Sequence, residues 1–339
     1  MLQIASRAPL SLSLNSQPHA LLPTGNSVPV SSEAFYTWIA LACADKGFFP
    51  GAPQLGQLIR HLDAIAFNDK RYEDIHLRAL KTGPASYKFD LDNFANHVIE
   101  LTASGWKVAS DFDTRFHRPD SSFHYLYPDR VKPKFHHCLQ RLFHLDSEKS
   151  KALTQWMIQA LLPGNTPPAL ILTGKARHEA AEKIRGIIDP TVCPIQALPT
   201  TTRQLGRLAL TNLILAFSIN SPLTKVRLAA LNEIRIGMMV ELRQVNKHRD
   251  PISVRIQRPL IISTAESFPL HEGQLEIEIN QAEIADRSQY LTSLLNAAAV
   301  AIASLEVTPS MIIELESAAA PVPEPPEVVI QPKGPFPKT

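Results

Sequence analysis

A chain of 339 residues, 45% hydrophobic and 19% charged, has the make-up of a soluble globular protein and room for one large domain or two ordinary ones. Its formal net charge of +2 gives no reason of its own to expect nucleic acid, so any affinity for phosphate has to come from local clusters. Three scattered cysteines, Cys43, Cys138 and Cys193, exclude a disulfide framework and point to a reducing, cytoplasmic setting, and no apolar run reaches the roughly 20 residues that span a bilayer.

Residues 1–31 are rich in Ser, Pro and Leu without a period, which predicts a flexible arm with one short strand near Ser27–Val30. Arg7 alone, followed by Pro9, is too little for a transit peptide. Residues 32–133 read as a small α+β module. Ser32 can cap a helix carrying Phe35, Trp38, Ile39 and Ala42 at helical spacing, and Ala52–Ala66 is a second helix. Strands follow at Ile75–Leu80, Ser86–Leu91 and Val98–Leu101, with a turn at Gly105-Trp106. Pro119 through Pro133 then breaks the pattern.

Residues 134–310 change character. Helices at Phe135–Phe143 and Lys149–Leu162 lead into an apolar strand, Ala169–Thr173, then Gly174 and a helix over Ala180–Ile188. A helix at Thr202–Leu208, a strand at Leu213–Phe217 and a helix at Leu223–Ile234 follow. Met238–Val245 and Ile252–Ile256 make a hairpin, and Leu260–Ile262, Leu275–Ile279 and a helix at Ser288–Leu305 close the domain. Strands apolar from end to end that alternate with helices predict an α/β domain: a parallel sheet covered on both faces. Residues 311–339 read as a disordered or polyproline tail, since Pro321–Thr339 holds seven prolines and few large apolar residues.

The strand–Gly174–helix order is the context of a phosphate-binding loop, but the chemistry departs from one. Such a loop places Gly, Lys and Ser/Thr at the end of GxxxxGK[ST], so that backbone N–H groups, an ammonium and a hydroxyl meet the phosphates and Mg²⁺. Counted from Gly174, those places hold Glu179, Ala180 and Ala181. Lys175 or Arg177 could replace the missing lysine from within the loop; the plainer reading makes both solvated loop charges. His136, His137 and Cys138 stand together, but adjacent residues rarely converge on one ion, so no metal site is expected. Nor is there a GxSxG, an HExxH or a paired-carboxylate motif.

Several landmarks run in order along residues 28–305: Phe35-Tyr36-Thr37-Trp38, Gly105-Trp106-Lys107-Val108, Arg115-Phe116-His117-Arg118-Pro119, Leu172-Thr173-Gly174, Ile188-Asp189-Pro190, Leu215-Ala216-Phe217 and Arg258-Pro259-Leu260-Ile261-Ile262. In these the chain resembles the P-loop-containing region of the primase-helicase-like ATPases of phages and integrative elements. The resemblance implies a P-loop NTPase-like, helicase-like domain of the AAA+ kind, preceded by the smaller α+β module. It also implies lost catalytic stations: Ser218 at the Walker B acid, Ser263 at the polar sensor and Gly273 at the arginine finger. Relatives of this kind carry a hairpin aimed at DNA, and here Arg243, Lys247, His248, Arg249, Arg255 and Arg258 crowd that interval. Arg115, His117 and Arg118 make a second basic run, equally able to pair with acids of the following domain.

The expectation is therefore a catalytically inactive ATPase-like protein without cofactor, a DNA-binding or assembly subunit that meets DNA, a protein partner or further copies of itself. A weakly active ATPase using ATP and Mg²⁺ through an atypical loop, and a scaffold without nucleic acid whose Pro-rich tail engages a partner, are the alternatives.

Overall fold

The computed structural model describes residues 2–13, 17–93, 96–119, 125, 127–128, 134–242, 252–265, 274–283 and 287–304. Gly273 and the cations Arg243, Lys247, His248 and Arg249 lie outside the described residues, as does the Pro-rich tail.

The N-terminal stretch, expected as an arm, is built into the protein. After α1 (Leu2–Ala5), strands β1 (Leu10–Ser13), β2 (Pro18–Leu21) and β3 (Ser27–Pro29) precede α2 (Glu33–Ala44), α3 (Ala52–Asp69) and β4 (Tyr72–Glu73). They form a four-stranded sheet in the order β3-β2-β1-β4, with β1 antiparallel to β2 and parallel to β4. Ala20 and Val28 are fully buried with Phe35 and Ile39 of α2 and with Leu58 and Leu62 of α3. That burial overrides the local signals, because Pro9 and Pro18 break the periodicity on which a sequence reading depends. Ser32 does cap α2, its Oγ accepting the N–H of Phe35 at 3.3 Å.

Next come β5 (Ile75–Leu77), β6 (Ala79–Gly83), β7 (Ser86–Asp90), β8 (His97–Thr102), β9 (Gly105–Ser110) and β10 (Arg115–His117). The single strand expected over Ile75–Leu80 is two, separated at Arg78, where φ is +58°. β5 pairs in parallel with β10, whereas β6 opens the antiparallel sheet β6-β7-β8-β9. The break turns Arg78 inward, toward an acid of the following domain. Gly105 opens β9 at φ +129°, and Gly105-Trp106 begins a strand rather than making the turn.

The remaining elements are α4 (Phe135–Phe143), α5 (Ser147–Leu161), β11 (Ala169–Thr173), α6 (Arg177–Ile188), β12 (Gln196–Ala197), α7 (Thr202–Thr211), β13 (Leu215–Ile219), α8 (Lys225–Ile236), β14 (Met238–Leu242), β15 (Ile252–Ile256), β16 (Leu260–Thr264), β17 (Gln274–Glu278) and α9 (Arg287–Ala303). Five of these strands make one parallel sheet, β12-β13-β16-β11-β17. The strands read at Ala169–Thr173, Leu213–Phe217 and Leu260–Ile262, here β11, β13 and β16, lie side by side in it, with β16 between the other two.

Both faces of this sheet are covered, and the strand residues alternate between the two cores. Leu170, Leu172, Ala216, Ile261 and Ile277 enter a core with α4, α5, α6 and α9. Ala169, Ile171, Leu215, Phe217, Leu260 and Ile262 enter a second with Leu205, Ala209, Leu231 and Ile234, roofed by Val240 and Val254 of the β14–β15 hairpin. Burial on both sides is why each strand reads as an unbroken apolar run. The first core also takes in Tyr87, Phe89, Leu91, Ile99 and Leu101, so residues on both sides of the expected boundary at 133/134 share it.

Candidate functional site

In an open parallel sheet, ligands bind beyond the carboxyl ends of the strands, where the connections diverge. Here that place is the head of β11, flanked by β16 and β17. The β11–α6 connection is three residues long: Gly174, Lys175 and Ala176. Gly174 has φ +88°, and a Cβ on it would come within 2.5 Å of the Ile279 carbonyl oxygen. The Ala176 N–H donates to that carbonyl at 3.0 Å, and the Ile279 N–H donates to the Thr173 carbonyl at 2.9 Å. The Lys175 N–H donates to Asn280 Oδ1 at 3.2 Å, and Arg177 Nη1 turns back to the Gly174 carbonyl at 3.0 Å.

This short crossing decides where the counted motif residues fall. α6 begins at Arg177, three residues before the expected start at Ala180, so Glu179 joins Ala180 and Ala181 inside the helix. Ala180 and Ala181 are fully buried in the core under the sheet, while Glu179 is exposed and ion-paired with Lys183 one turn on. Lys175 is exposed and Arg177 half-buried.

Ser218 and Ser263 are register partners on β13 and β16. β13 runs to Ile219, two residues further than expected, so Ser218 sits within the strand rather than just after it. Ser263 is fully buried, and its Oγ lies 3.0 Å from Nδ1 of His178, which projects from the first turn of α6. Burial, and then the neighbouring Arg177, lowers the pKa of His178 from its ordinary value, with Glu182 opposing. The sheet head thus joins hydroxyls and a neutral-leaning imidazole; β13 and β16 bring no carboxylate to it. Sequence reasoning missed His178 and Asn280. His178 was within reach, falling inside the stretch counted from Gly174; Asn280 follows a strand and carries no motif.

The cations expected to meet DNA divide. Arg255 lies on the exposed side of β15, its Nη2 donating to the Ile236 carbonyl at 3.2 Å across Gly237. Arg258 is structural: its Nε donates to the carbonyls of Ala209 and Asn212, both at 2.8 Å, and burial lowers its pKa to about 10. In the second basic run, Arg118 pairs with Asp90 at 2.6 Å, and Arg115 lies 3.3 Å from Glu73. Those partners belong to the N-terminal module, not to the following domain. An ion pair that does reach that domain is made by Arg78, whose Nε lies 3.1 Å from Oδ1 of Asp189. Among the described residues, no three His, Cys, Asp or Glu side chains gather as a metal site, and no helix is long and apolar enough to cross a membrane.

No family model matches the chain, and no curated protein does. Among solved structures, the A form apo structure of the NrS-1 C-terminal region is similar at TM-score 0.45 and 12% identity, over 92% of this chain and 70% of that one. An apo structure of NrS-1 residues 305–718 gives TM-score 0.44 and 13% identity, over 94% and 72%. A JCV helicase bound to a small molecule gives TM-score 0.24 and 14% identity, over 54% and 65%.

Proposed function

We propose that this chain is a helicase-like P-loop ATPase relative that does not hydrolyse ATP, and that it serves as a DNA-binding or assembly subunit in replication or maintenance of a phage or mobile element. The observation that carries the reading is the register pair Ser218–Ser263 beside the Gly174 loop. The resemblance requires loop strand, acid strand and sensor strand to be neighbours, and β11, β13 and β16 are. On that reading Ser218 offers a hydroxyl where phosphoryl transfer needs a carboxylate for Mg²⁺, and Ser263 takes the place of the polar sensor. No nucleotide or metal cofactor belongs to the reading.

Support for the nucleic-acid part comes from the β14–β15 hairpin, which carries Arg255 and whose connecting sequence holds Arg243, Lys247, His248 and Arg249. Cations clustered along one connecting segment suit phosphate contact without base preference. Assembly with a partner protein or further copies of the chain is the companion role.

Steady-state assays with ATP and Mg²⁺ test the first half. The expected result is no turnover and an affinity for nucleotide weaker than millimolar. Turnover abolished by Lys175→Ala would overturn the reading, because a lysine inside the loop would then be restoring the site.

A further inference from the structure

We propose that Ile279 and Asn280 form a clasp that fills, from within the chain, the place an anion would take at the Gly174 loop, and so holds the β11–α6 connection shut. The inference rests on reading that connection as a degenerate phosphate loop. A loop of this kind offers backbone N–H groups to phosphate oxygens. Here both N–H groups between Gly174 and α6 are already engaged, Lys175 by the Asn280 side-chain oxygen and Ala176 by the Ile279 carbonyl. Two neutral oxygens, each bearing partial negative charge, take the part of phosphate oxygens.

Gly174 has a corresponding explanation. The missing Cβ admits the chain's own Ile279 carbonyl, at 2.5 Å from where that Cβ would stand, and Asn280 Oδ1 at 2.9 Å. The clasp is fixed at both ends. On one side β17 pairs with β11 along its whole length, from Ala169↔Gln274 to Thr173↔Glu278. On the other, the Glu283 N–H donates to the Leu142 carbonyl at 2.9 Å, and the Glu283 carboxylate lies 3.0 Å from His144 Nε2. Asn280 Nδ2 also holds Glu278 Oε1 at 3.0 Å, keeping a carboxylate at the rim, where it repels an incoming anion.

Amide hydrogen exchange on the full chain tests the clasp directly. Asn280→Ala should speed exchange at Lys175 by about tenfold, the loss of one hydrogen bond, while Ala176, bonded to the Ile279 backbone, stays unchanged. Asn280→Asp keeps the acceptor and should restore protection. Calorimetric titration with inorganic pyrophosphate should then show no binding to the wild type or to Asn280→Asp, and a gain of binding in Asn280→Ala. Asn280 is exposed, so these variants should keep the fold, checked by their thermal midpoints. Unaltered Lys175 exchange in Asn280→Ala, pyrophosphate binding by the wild type, or no gain in the variant would each overturn the clasp. Turnover of ATP by the wild type would sink the functional reading instead, while leaving the exchange result standing.

Discussion

Arg78 and Asp189 meet in the interior with side chains only 2% and 4% exposed, Nε lying 3.1 Å from Oδ1. Asp189 also accepts the N–H groups of Leu213 and Ile214 at 3.0 and 3.1 Å, at the foot of β13, and Arg185 stands 3.6 Å from it. Arg78 Nη2 donates to the Pro190 carbonyl at 2.8 Å. Asp189→Ala removes one acid from two arginines and one acceptor from two backbone donors. It should lower the unfolding free energy by about 3–5 kcal/mol, as for other buried pairs broken on one side. Asp189→Asn, which keeps the acceptor, should cost less. Urea denaturation checks both, and a cost below about 1 kcal/mol for Asp189→Ala would mean that the hub contributes little.

His19 should make the fold acid-sensitive. Burial above all, then the nearby His117, lowers its pKa to about 3, against 6.5 when unfolded, although Ser27 opposes the shift. The folded state therefore keeps His19 neutral while the unfolded chain takes up a proton. Its contribution is full above about pH 6.5 and falls as the pH drops from there toward 3, reaching a loss of about 2 kcal/mol at pH 5. Denaturation at pH 7 and pH 5 should show that loss in the wild type and a smaller one in His19→Gln.

Gly174→Ala tests the closeness of the strand head to its neighbour. The substitution places a Cβ 2.5 Å from a backbone oxygen at a φ of +88°. A loss of about 1–3 kcal/mol is expected. Neutrality in thermal unfolding would show that the β11–α6 connection and β17 are not held together as described.

For the hairpin, Lys247→Ala with Arg249→Ala should weaken single-stranded DNA binding similarly across sequences. It should also flatten the dependence of log affinity on log salt by about one to two units. Fold stability should change by less than about 0.5 kcal/mol. If the wild type shows no salt-sensitive DNA binding at low ionic strength, the scaffold alternative takes precedence.

The central sheet was legible because burial on both faces leaves an unmistakable mark: runs such as Ala169–Thr173 and Leu260–Ile262 contain hardly a polar group. Relations between distant segments leave no such mark. Arg78 looks like any strand arginine until Asp189 is beside it, and Asn280 acquires a role through Lys175, 105 residues earlier. The helix expected from Ala180 begins three residues earlier, at Arg177, just after the hydrogen bond from Ala176 to Ile279, which takes Glu179 into it beside Ala180 and Ala181. β3 falls where a short strand was expected near Ser27–Val30, whereas β1 and β2 were hidden by Pro9 and Pro18, since what makes them strands is the cover that α2 and α3 provide.

The core shared across the 133/134 boundary also fixes an order of events during synthesis. Trp106 on β9 donates its indole N–H to Asn296 of α9 at 2.9 Å, across 190 residues of sequence, and α9 lies against β8 and β9. The face of β7 and β8 bearing Tyr87, Phe89, Ile99 and Leu101, with Leu91 just beyond β7, emerges from the ribosome long before the helices that cover it. Until α9 is made, that apolar face waits uncovered, with contacts of high sequence separation still to close. Closure of this core therefore waits on contacts of high sequence separation, and it is complete only when the last described helix docks.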